Sequence, residues 1–551
     1  MPVTAAPYNQ GQFVDRGGAV INVLHTDFGA TYDTDGNVTN ASAVLNAAIA
    51  SISTLTGPVG SQISVAHAHT LYLPALANPT NAPYGGRYYF SSTVEVRAAH
   101  GLRIVGEANF GTELEWVGNA STAAMFTFGS CNSCEIGNFH IAVTSSDTAR
   151  VMDLFRFETR PNPDGSFTPT AMYLHDIVAD GTGETAATGG YVNGARFLVG
   201  TGGTDANNDL SVWERVTFRN ARNAGWRIES TSTQSVSHQL HDCAVINADY
   251  GFQALHGNFQ MHGGSFNACR TANVYLGAPN GVTVVEGVDC ENTHMILQTA
   301  AAGTAPGSAS SQSPHTFSLL RSRIAGNKFD EVAGYDSASP LTGPSVVMDY
   351  QFRGPLIIEG CTIGVDAVLT RDFDFSISAR GAYAVTARGN QFATTQTTPR
   401  NPVRLPQVND GSAAYAEGIV DISNNLWNHN SGSGGSTAVI AHSRVFASGD
   451  TTPCVIHGDY FLTASSANLT ITDFDEGRAA LSQFANGGRG YYGKRFTLHA
   501  QDATTTIQSG NGKINLKPYG TGPSYVGPSR ALVKNEQVTF MKGLDNIWWE
   551  V

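Results

Sequence analysis

The sequence predicts an all-β protein that is built from stacked repeats. Its 551 residues include 60 glycines and only 14% charged residues, a composition typical of a chain with many turns and few helices. A short strand-like phrase recurs through the middle of the chain, at 173–177, 212–216, 239–243, 260–264, 284–288, 319–322, 357–361, 386–390, 421–425 and 455–459. A repeat of this size cannot bury its apolar face alone, so neighbouring copies are expected to stack around one core.

One helix is expected near the start of the chain, over residues 41–53. Its apolar stripe consists of Val44, Leu45, Ala48, Ile49 and Ile52. Thr39 or Asn40 can cap its first turn. Strands are expected to follow at 70–74, 87–90, 93–97 and 102–107. We expect the helix to cover the N-terminal end of the stack, where open strand edges would otherwise promote aggregation.

The motifs of this opening region occur in a specific order: Asp27-Phe28-Gly29-Ala30, Asp35-Gly36, the helix, Leu73-Pro74 and Ile104-Val105-Gly106. This order resembles the start of the pectate-lyase-like right-handed parallel β-helix proteins. The resemblance covers about residues 20–107 in the opening motif, and the repeats extend it to about 465. It implies an N-terminal segment and cap at 1–60, a right-handed parallel β-helix at 61–465, and a small β-rich region for oligomerisation or end-capping at 466–551.

A second resemblance, to bacteriophage tailspikes, comes from the segment Gly512-Lys-Ile-Asn-Leu-Lys517 and from an N-terminus without the basic start and apolar core of a signal peptide. Those proteins are β-helix homotrimers that bind and cleave bacterial surface polysaccharide, either capsule or O-antigen. The resemblance implies a homotrimer on the virion surface or outside the cell, with other virion tail proteins as further partners.

Charge and hydropathy exclude two classes of partner. The net charge is −13 and no Lys/Arg-rich run occurs, which argues against nucleic acid. No apolar stretch approaches the roughly 20 residues of a membrane span, so we expect no membrane insertion. No cofactor or metal is predicted either, since Asp33-Thr-Asp35-Gly36 is typical of a turn and the Cys131/Cys134 pair is interpreted as structural.

Several phrases carry a His or Glu at one register. Stacking converts this register into a column, which consists of His175, Glu214, His241, His262, Glu286 and Glu359. A single His or Glu at this register is interpreted as a solvated residue near a turn. The uninterrupted run from Glu214 to Glu286 instead predicts one wall of a binding groove.

Cleavage of a glycosidic bond usually needs two carboxyl groups, about 5–5.5 Å apart for retention and about 6.5–9.5 Å apart for inversion. Neighbouring coils stack at about 4.8 Å. Glu214 and Asp242 lie on consecutive phrases one register apart, so we predict them as the catalytic pair. Glu286 with Asp289 or Glu291 forms a second catalytic candidate. The predicted substrate-binding residues are His241, His262, Arg215 and Glu291.

Two other functions stay open at this point. A polysaccharide lyase would need positive charge beside a uronate carboxylate, and Arg215, Arg219 and Arg227 are the candidates for it. A non-catalytic spike or adhesin would bind glycan without cleaving it. A groove between subunits would instead place the chemistry on loop residues, with Asp336, Asp349 and Asp372 as candidates.

Several large or reactive side chains are predicted to be structural. Cys243, Cys361 and Cys290 fall at inward registers, so buried free thiols are expected. Trp213 falls at an inward register too and is expected in the core rather than against a sugar. The terminal Trp548 and Trp549 are expected to be buried against a partner chain.

Overall fold

The fold is described from a computed structural model of the chain. It forms two compact units, Met1–Ala300 and Ala301–Val551. The structure describes residues 14–15, 18–53, 69–77, 85–108, 111–118, 124–143, 152–159, 171–181, 190–199, 208–229, 235–299, 315–325, 346–350, 354–364, 376–378, 384–394, 403–404, 419–423, 426–429, 443–445, 451–453, 455, 460–463, 468–474, 493, 495–517, 528–545 and 547–551.

The first unit is a parallel β-helix with three strands in each coil. After β1 (Val14–Asp15), the first sheet contains β2 (Gly18–Asn22), β3 (Thr70–Leu73), β6 (Arg103–Gly106), β15 (His238–His241), β18 (Phe259–His262) and β21 (Gly281–Glu286). The second sheet contains β4 (Arg87–Phe90), β7 (Glu113–Trp116), β16 (Ala244–Ile246), β19 (Ser265–Asn267) and β22 (Asp289–Glu291). Three long strands bend and join both sheets: β9 (Asn132–Val143), β11 (Ala171–Gly181) and β13 (Val212–Arg219).

The third sheet closes each coil. It contains β5 (Val94–Arg97), β8 (Ala124–Gly129), β10 (Asp153–Thr159), β12 (Tyr191–Val199), β14 (Ala221–Ile228), β17 (Tyr250–Gly257), β20 (Ala272–Pro279) and β23 (Leu297–Thr299). The predicted stacking of the phrases is confirmed, because Leu174, Trp213, Leu240, Met261 and Val285 are paired in consecutive strands of the first sheet. Crossovers between parallel strands are nearly always right-handed, so this topology favours the predicted hand.

The corner between the first and second sheets is made by residues with a left-handed backbone. Asp176, Arg215 and Asp242 have φ values of 53°, 53° and 51°, and Gly263 and Gly287 continue the same corner in the next two coils. Asn and Asp adopt this conformation more readily than most residues, and Gly adopts it without strain. The corner therefore turns each chain sharply just after the residue of the predicted column.

Aromatic rings fill the interior of the first unit. Trp213 is fully buried, with ring-centroid distances of 5.6–6.3 Å to five other rings: Phe155, Phe157, Phe197, Phe218 and Trp226. The prediction that Trp213 lies in the core is confirmed. Cys243, Cys290 and Cys361 are buried thiols that are not part of a disulfide, as predicted, and so are Cys131 and Cys134.

The predicted helix is confirmed as α1 (Ala41–Ser53), which follows the short 3-10 helix η1 (Thr26–Phe28). The Ser42 hydroxyl accepts hydrogen bonds from the backbone N–H groups of Ser91 and Ser92, which attach α1 to the chain between β4 and β5. The predicted side-chain cap is wrong for both candidates. The Asn40 amide is bonded to Gly29 and Thr31, and the Thr39 hydroxyl is bonded to Thr31. Covering of the stack by α1 stays a prediction.

Among the described residues, no helix has both the length and the apolar character of a membrane span.

The second unit begins with the same three-sheet pattern. Its strands are β24 (His315–Leu320), β25 (Arg323–Ala325), β26 (Val346–Asp349), β27 (Pro355–Glu359), β28 (Thr362–Gly364), β29 (Ser376–Ser378), β30 (Ala384–Arg388), β31 (Gln391–Thr394), β32 (Val403–Arg404), β33 (Ile419–Ser423) and β34 (Leu426–His429). Parallel pairs connect every third strand in the order of the chain, for example β24 with β27 and β27 with β30.

The C-terminal strands form two smaller sheets. One contains β35 (Ser443–Val445), β36 (Tyr460–Thr463), β38 (Arg495–Ala500), β40 (Ile514–Asn515), β42 (Gln537–Lys542) and β43 (Trp548–Glu550), and the other contains β37 (Leu469–Ile471), β39 (Thr505–Ile507) and β41 (Arg530–Ala531). Their core includes Phe461, Phe474, Phe496, Phe540 and Trp548. A β-rich C-terminal region was expected here, and the division of the chain at 60 and 465 stays a prediction.

Candidate functional site

The predicted register forms a continuous column on the first sheet. His175 pairs with Glu214, Glu214 with His241, His241 with His262, and His262 with Glu286. We call these five residues the polar column. Four steps of about 4.8 Å make it about 19 Å long, enough to contact several sugar units of a chain lying along the coil axis.

The side chains of the polar column point away from the core, because side chains alternate between the two faces of a strand. The residue before each member is inward and completely or almost completely buried: Leu174, Trp213, Leu240, Met261 and Val285. Since successive side chains of a strand point to opposite faces, the column residues lie on the outer face of the sheet, where they are partly exposed. Any slip of one residue would bury five ionisable groups, so the register is strongly specified.

His175 lies between two carboxylates. Its Nε2 is 3.2 Å from Oε1 of Glu135, and its Nδ1 is 2.8 Å from Oδ2 of Asp176. An arginine binds each carboxylate in turn. Arg103 donates to Glu135 at 2.8 and 3.0 Å, and Arg215 donates to Asp176 at 2.7 and 2.9 Å. These five residues, with Tyr173 and Glu214, are called the ion network below.

The contacts of the ion network fix its protonation. Hydrogen bonds from His175 and Arg103 lower the pKa of Glu135 to about 2. Hydrogen bonds from Arg215 and His175 lower the pKa of Asp176 to about 2. The same two carboxylates, Glu135 foremost, raise the pKa of His175. The arrangement therefore favours a charged imidazole between two ionised carboxylates.

Glu214 is the member of the network that also belongs to the predicted catalytic pair. Its Oε2 accepts a hydrogen bond of 2.5 Å from the Tyr173 hydroxyl, and its Oε1 pairs with the Arg215 guanidinium. The Tyr173 bond and then the Arg215 bond lower the pKa of Glu214. Burial and the Glu214 contact raise the pKa of Tyr173 to about 12. Glu214 is thus held ionised beside a neutral phenol, the state that a base or nucleophile requires.

Asp242 lies one residue past His241, which is the register partner of Glu214. It is exposed at the corner, and no side chain of the described residues is hydrogen-bonded to its carboxylate. Glu214 contacts Tyr173 on the preceding coil and Arg215 on its own coil. The Asp242 carboxylate instead lies against Gly263 of the next coil, where a Cβ would clash with its Oδ1. Glu214 and Asp242 are therefore near in register without being joined by a direct contact.

The far end of the polar column is held by a second set of contacts. The imidazole rings of His241 and His262 stack with centroids 5.6 Å apart, and Nδ1 of His262 is 3.1 Å from Oε2 of Glu286. Asp289 and Glu291 are exposed on β22, in the second sheet. A turn at Gly287 separates them from Glu286, so they lie around the corner from the polar column.

The remaining candidates are less defined. Asp336 and Asp372 lie outside the described residues, and of Asp349 only the backbone is described. In the described ranges, no group of three or more His, Cys, Asp or Glu side chains has the arrangement of a metal site. Arg219 and Arg227 belong to the second and third sheets, on other faces than Arg215.

Sequence reasoning missed Tyr173, Glu135 and Asp176. Two signals were present, since Tyr173 stands two residues before His175 on the same face and Asp176 has the corner register of Asp242. It also missed a similar cluster on the second sheet, where His140 lies 3.0 Å from Asp180 and 3.8 Å from Glu113. His140 and Asp180 lie outside the repeated phrase, so no repeat pattern indicated them.

Gly137 makes room for the His175 ring. A Cβ at this position would lie 2.6 Å from Cε1, Nε2 and the backbone oxygen of His175. We expect Gly137→Ala to push the ring off Glu135 and to lower the free energy of unfolding by about 1–3 kcal/mol, measured by chemical denaturation. Gly111→Ala is the control, since its nearest neighbour is a Cβ at 3.3 Å. Equal stability of Gly137→Ala and the wild type would contradict the contact.

The ion network predicts a pH-dependent contribution to stability. A raised pKa of His175 stabilises the fold fully below its unfolded value of about 6.5, and this contribution is lost as the pH rises through the folded value. His175→Gln should therefore cost about 1 kcal/mol more at pH 5.5 than at pH 9, measured by denaturant unfolding. His241→Gln, which removes a histidine of the polar column that lies outside the ion network and stacks on His262, is the control. A cost for His175→Gln that does not change with pH would rule out the proposed pairing.

Comparison with known proteins yields structural likeness at low sequence identity. A tailspike of Acinetobacter phage vb_AbaP_AS12 is 12% identical, with a TM-score of 0.41 over 80% of this chain and 69% of that one. The ORF18 protein of Geobacillus virus E2 is 12% identical, with a TM-score of 0.34 over 74% of this chain and 60% of that one, so this chain spans less than two thirds of it. An endo-xylogalacturonan hydrolase from Aspergillus tubingensis is 9% identical, with a TM-score of 0.33 over 74% and 95%.

No family model and no curated protein matches the sequence. The parallel β-helix is established by the strand pairing of the chain itself, coil by coil. The function of the outer face of the first sheet must likewise be inferred from its own side chains.

Proposed function

We propose that the protein binds a bacterial surface polysaccharide along the polar column and cleaves it by glycoside hydrolysis. One observation carries the proposal: five ionisable side chains stack in consecutive coils on an outer face, with Glu214 held ionised between Tyr173 and Arg215. A row of outward polar groups along a rigid sheet suits an extended ligand, and two carboxyl groups on consecutive coils suit glycosidic cleavage.

The two carboxyl groups have different environments, which suggests different roles. Glu214 is the proposed base or nucleophile, because its contacts favour the carboxylate. Asp242 is the proposed acid, since its exposed carboxyl lies on the next coil, outside the ion network that holds Glu214 ionised. His241 and His262 would donate hydrogen bonds to sugar hydroxyls, and Glu286 orients His262 through their 3.1 Å contact.

The charge of the site favours hydrolysis over β-elimination. A lyase must stabilise negative charge on a uronate, and the three candidate arginines are already paired with carboxylates. Arg215 is 2.7 Å from Asp176, Arg219 is 3.5 Å from Asp180, and Arg227 is 2.7 Å from Glu229. With His175 charged, the three anions of the ion network balance its three cations, so no net positive charge is left there to stabilise a uronate carboxylate.

A non-catalytic glycan-binding spike is the second candidate. It is favoured by the engagement of both Glu214 oxygens, which is also what a purely structural carboxylate would show. The two functions differ in one outcome: the hydrolase shortens a polysaccharide that the protein binds, and the spike leaves its length unchanged.

We also propose a tailspike-like homotrimer on the virion surface, in contact with other tail proteins. This rests on the sequence resemblance given above. Sedimentation equilibrium of the full chain tests it, with three times the mass of one chain as the expected result and a monomer as the result that would exclude it.

The chemistry is tested by incubating the full chain with purified capsule and O-antigen from several strains. Hydrolysis predicts shorter chains with new reducing ends and no unsaturated product. A product that absorbs in the near ultraviolet would instead establish β-elimination. Asp242→Asn should slow cleavage by roughly 10²-fold or more if Asp242 is the acid. Glu95→Gln, which changes an exposed carboxylate of β5 in the third sheet, serves as its control.

A further inference from the structure

The two tryptophans at the end of the chain have opposite surroundings. Trp548 is fully buried in its own unit, so its predicted burial against a partner chain is wrong, whereas Trp549 is 37% exposed. Strand β43 is bordered on both sides at this position, by Met541 of β42 and Asn515 of β40. The backbone that carries Trp549 is therefore held inside a sheet while one part of its ring faces solvent.

The Trp549 ring is fixed in one orientation. Its Nε1 donates to both carboxylate oxygens of Asp545, at 3.1 and 2.9 Å. The ring lies over Gly543, where a Cβ would be 2.8 and 2.9 Å from Cδ1 and Nε1 of the indole. The polar edge is thus satisfied within the chain, and the glycine leaves the space that this orientation needs.

We propose that the exposed face of Trp549 is a second glycan-binding site, which takes a neutral sugar ring. Because the Trp549 side chain already has its Nε1 bonded to Asp545, it loses little side-chain freedom when a sugar binds. Trp offers large rigid contact area with one apolar face, and a pyranose presents apolar C–H groups to it. The site does not depend on the proposed function, because it requires no cleavage.

The area and the charge of the surface around Trp549 indicate which class of ligand fits it. An exposure of 37% of a side chain of ~250 Å² is roughly 90 Å², the scale of one sugar ring. A stable protein interface needs about 800 Å² from each partner, far more than this ring and the nearby exposed Leu544 and Val551 provide. The Asp545 carboxylate at the edge of the ring favours a neutral sugar over a uronate.

The test is an isothermal titration calorimetry experiment on the full chain with cellohexaose and with chitohexaose, both neutral. All variants in this test also carry Glu214→Gln, so that the probe is not cleaved. A failure to bind the probe at Trp549 is then distinct from a failure of the proposed cleavage. We expect saturable binding that Trp549→Ala weakens at least tenfold and Trp549→Phe largely retains. Gly543→Ala should weaken it with the tryptophan present, Leu544→Ala should not, and hexagalacturonate should bind at least tenfold more weakly.

Three results would overturn the proposal. These are the absence of saturable binding with both neutral probes, equal binding by Trp549→Ala and its parent, and equal binding of hexagalacturonate. Sedimentation of the same variants tests the alternative that a second copy of this chain binds at Trp549. If Trp549→Ala lowers the oligomeric state and neither sugar binds, the surface is a contact between copies and not a glycan site.

Discussion

Glu214→Gln is expected to lower the rate of polysaccharide cleavage by roughly 10³-fold, a loss in the range of a missing general base. Glutamine keeps the shape of the side chain and can still meet Tyr173, but it cannot accept a proton or attack a sugar carbon. The rate is measured as the appearance of reducing ends from the polysaccharide that the wild type binds. Binding and the unfolding midpoint should change little, since Glu214 lies on the outer face of the sheet.

Glu359→Gln is the matched control for this variant. Glu359 has the same register in the second unit and pairs with Arg388 at 3.2 Å, but it has no place in the ion network. Its cleavage rate should equal that of the wild type. Equal rates for Glu214→Gln and the wild type would remove Glu214 from the catalytic pair, and a matching loss in Glu359→Gln would indicate a nonspecific effect of surface charge.

Trp213→Ala is expected to lower the free energy of unfolding by about 3–5 kcal/mol, the usual cost of truncating a buried aromatic residue. The Trp213 side chain is fully buried and lies within 6.3 Å, centroid to centroid, of five aromatic rings. Removing it leaves a cavity that stacked strands on every side cannot fill by local collapse. Denaturant unfolding followed by far-ultraviolet circular dichroism measures the loss without relying on tryptophan emission.

Trp213→Phe keeps most of the apolar volume and should cost less than half as much. A loss below about 1 kcal/mol for Trp213→Ala would contradict its place in the core. If glycan binding disappeared while stability stayed unchanged, Trp213 would be a sugar-stacking residue, the alternative that its buried position argues against.

The stacking order of the first unit could be predicted because its phrases obey one rule. Each places an apolar residue inward and a polar residue next to it, so Leu240 and Met261 had to pair if the phrases stacked at all. The helix could be predicted because its apolar stripe is regular. Its cap could not, because Asn40 has a competing partner eleven residues earlier at Gly29, and a tertiary contact of that kind leaves no local pattern.

The position of the site could be predicted from the sequence, but the hydrogen bonds and ion pairs between its side chains could not. Register alone placed Glu214 beside His241. It could not show that Glu214 is bonded to Tyr173 and Arg215, because these contacts depend on side-chain rotamers. The charge state of His175 likewise depends on Glu135, a residue 40 positions earlier that stacking brings within 3.2 Å.

The most direct test of the central claim is the chain length of a bound capsule or O-antigen after incubation with the wild type, Glu214→Gln and Glu359→Gln in parallel. The polar column predicts that the wild type and Glu359→Gln shorten the polymer and that Glu214→Gln leaves it at nearly full length. A polymer that stays intact with the wild type, for every strain whose polysaccharide the protein binds, would contradict the claim.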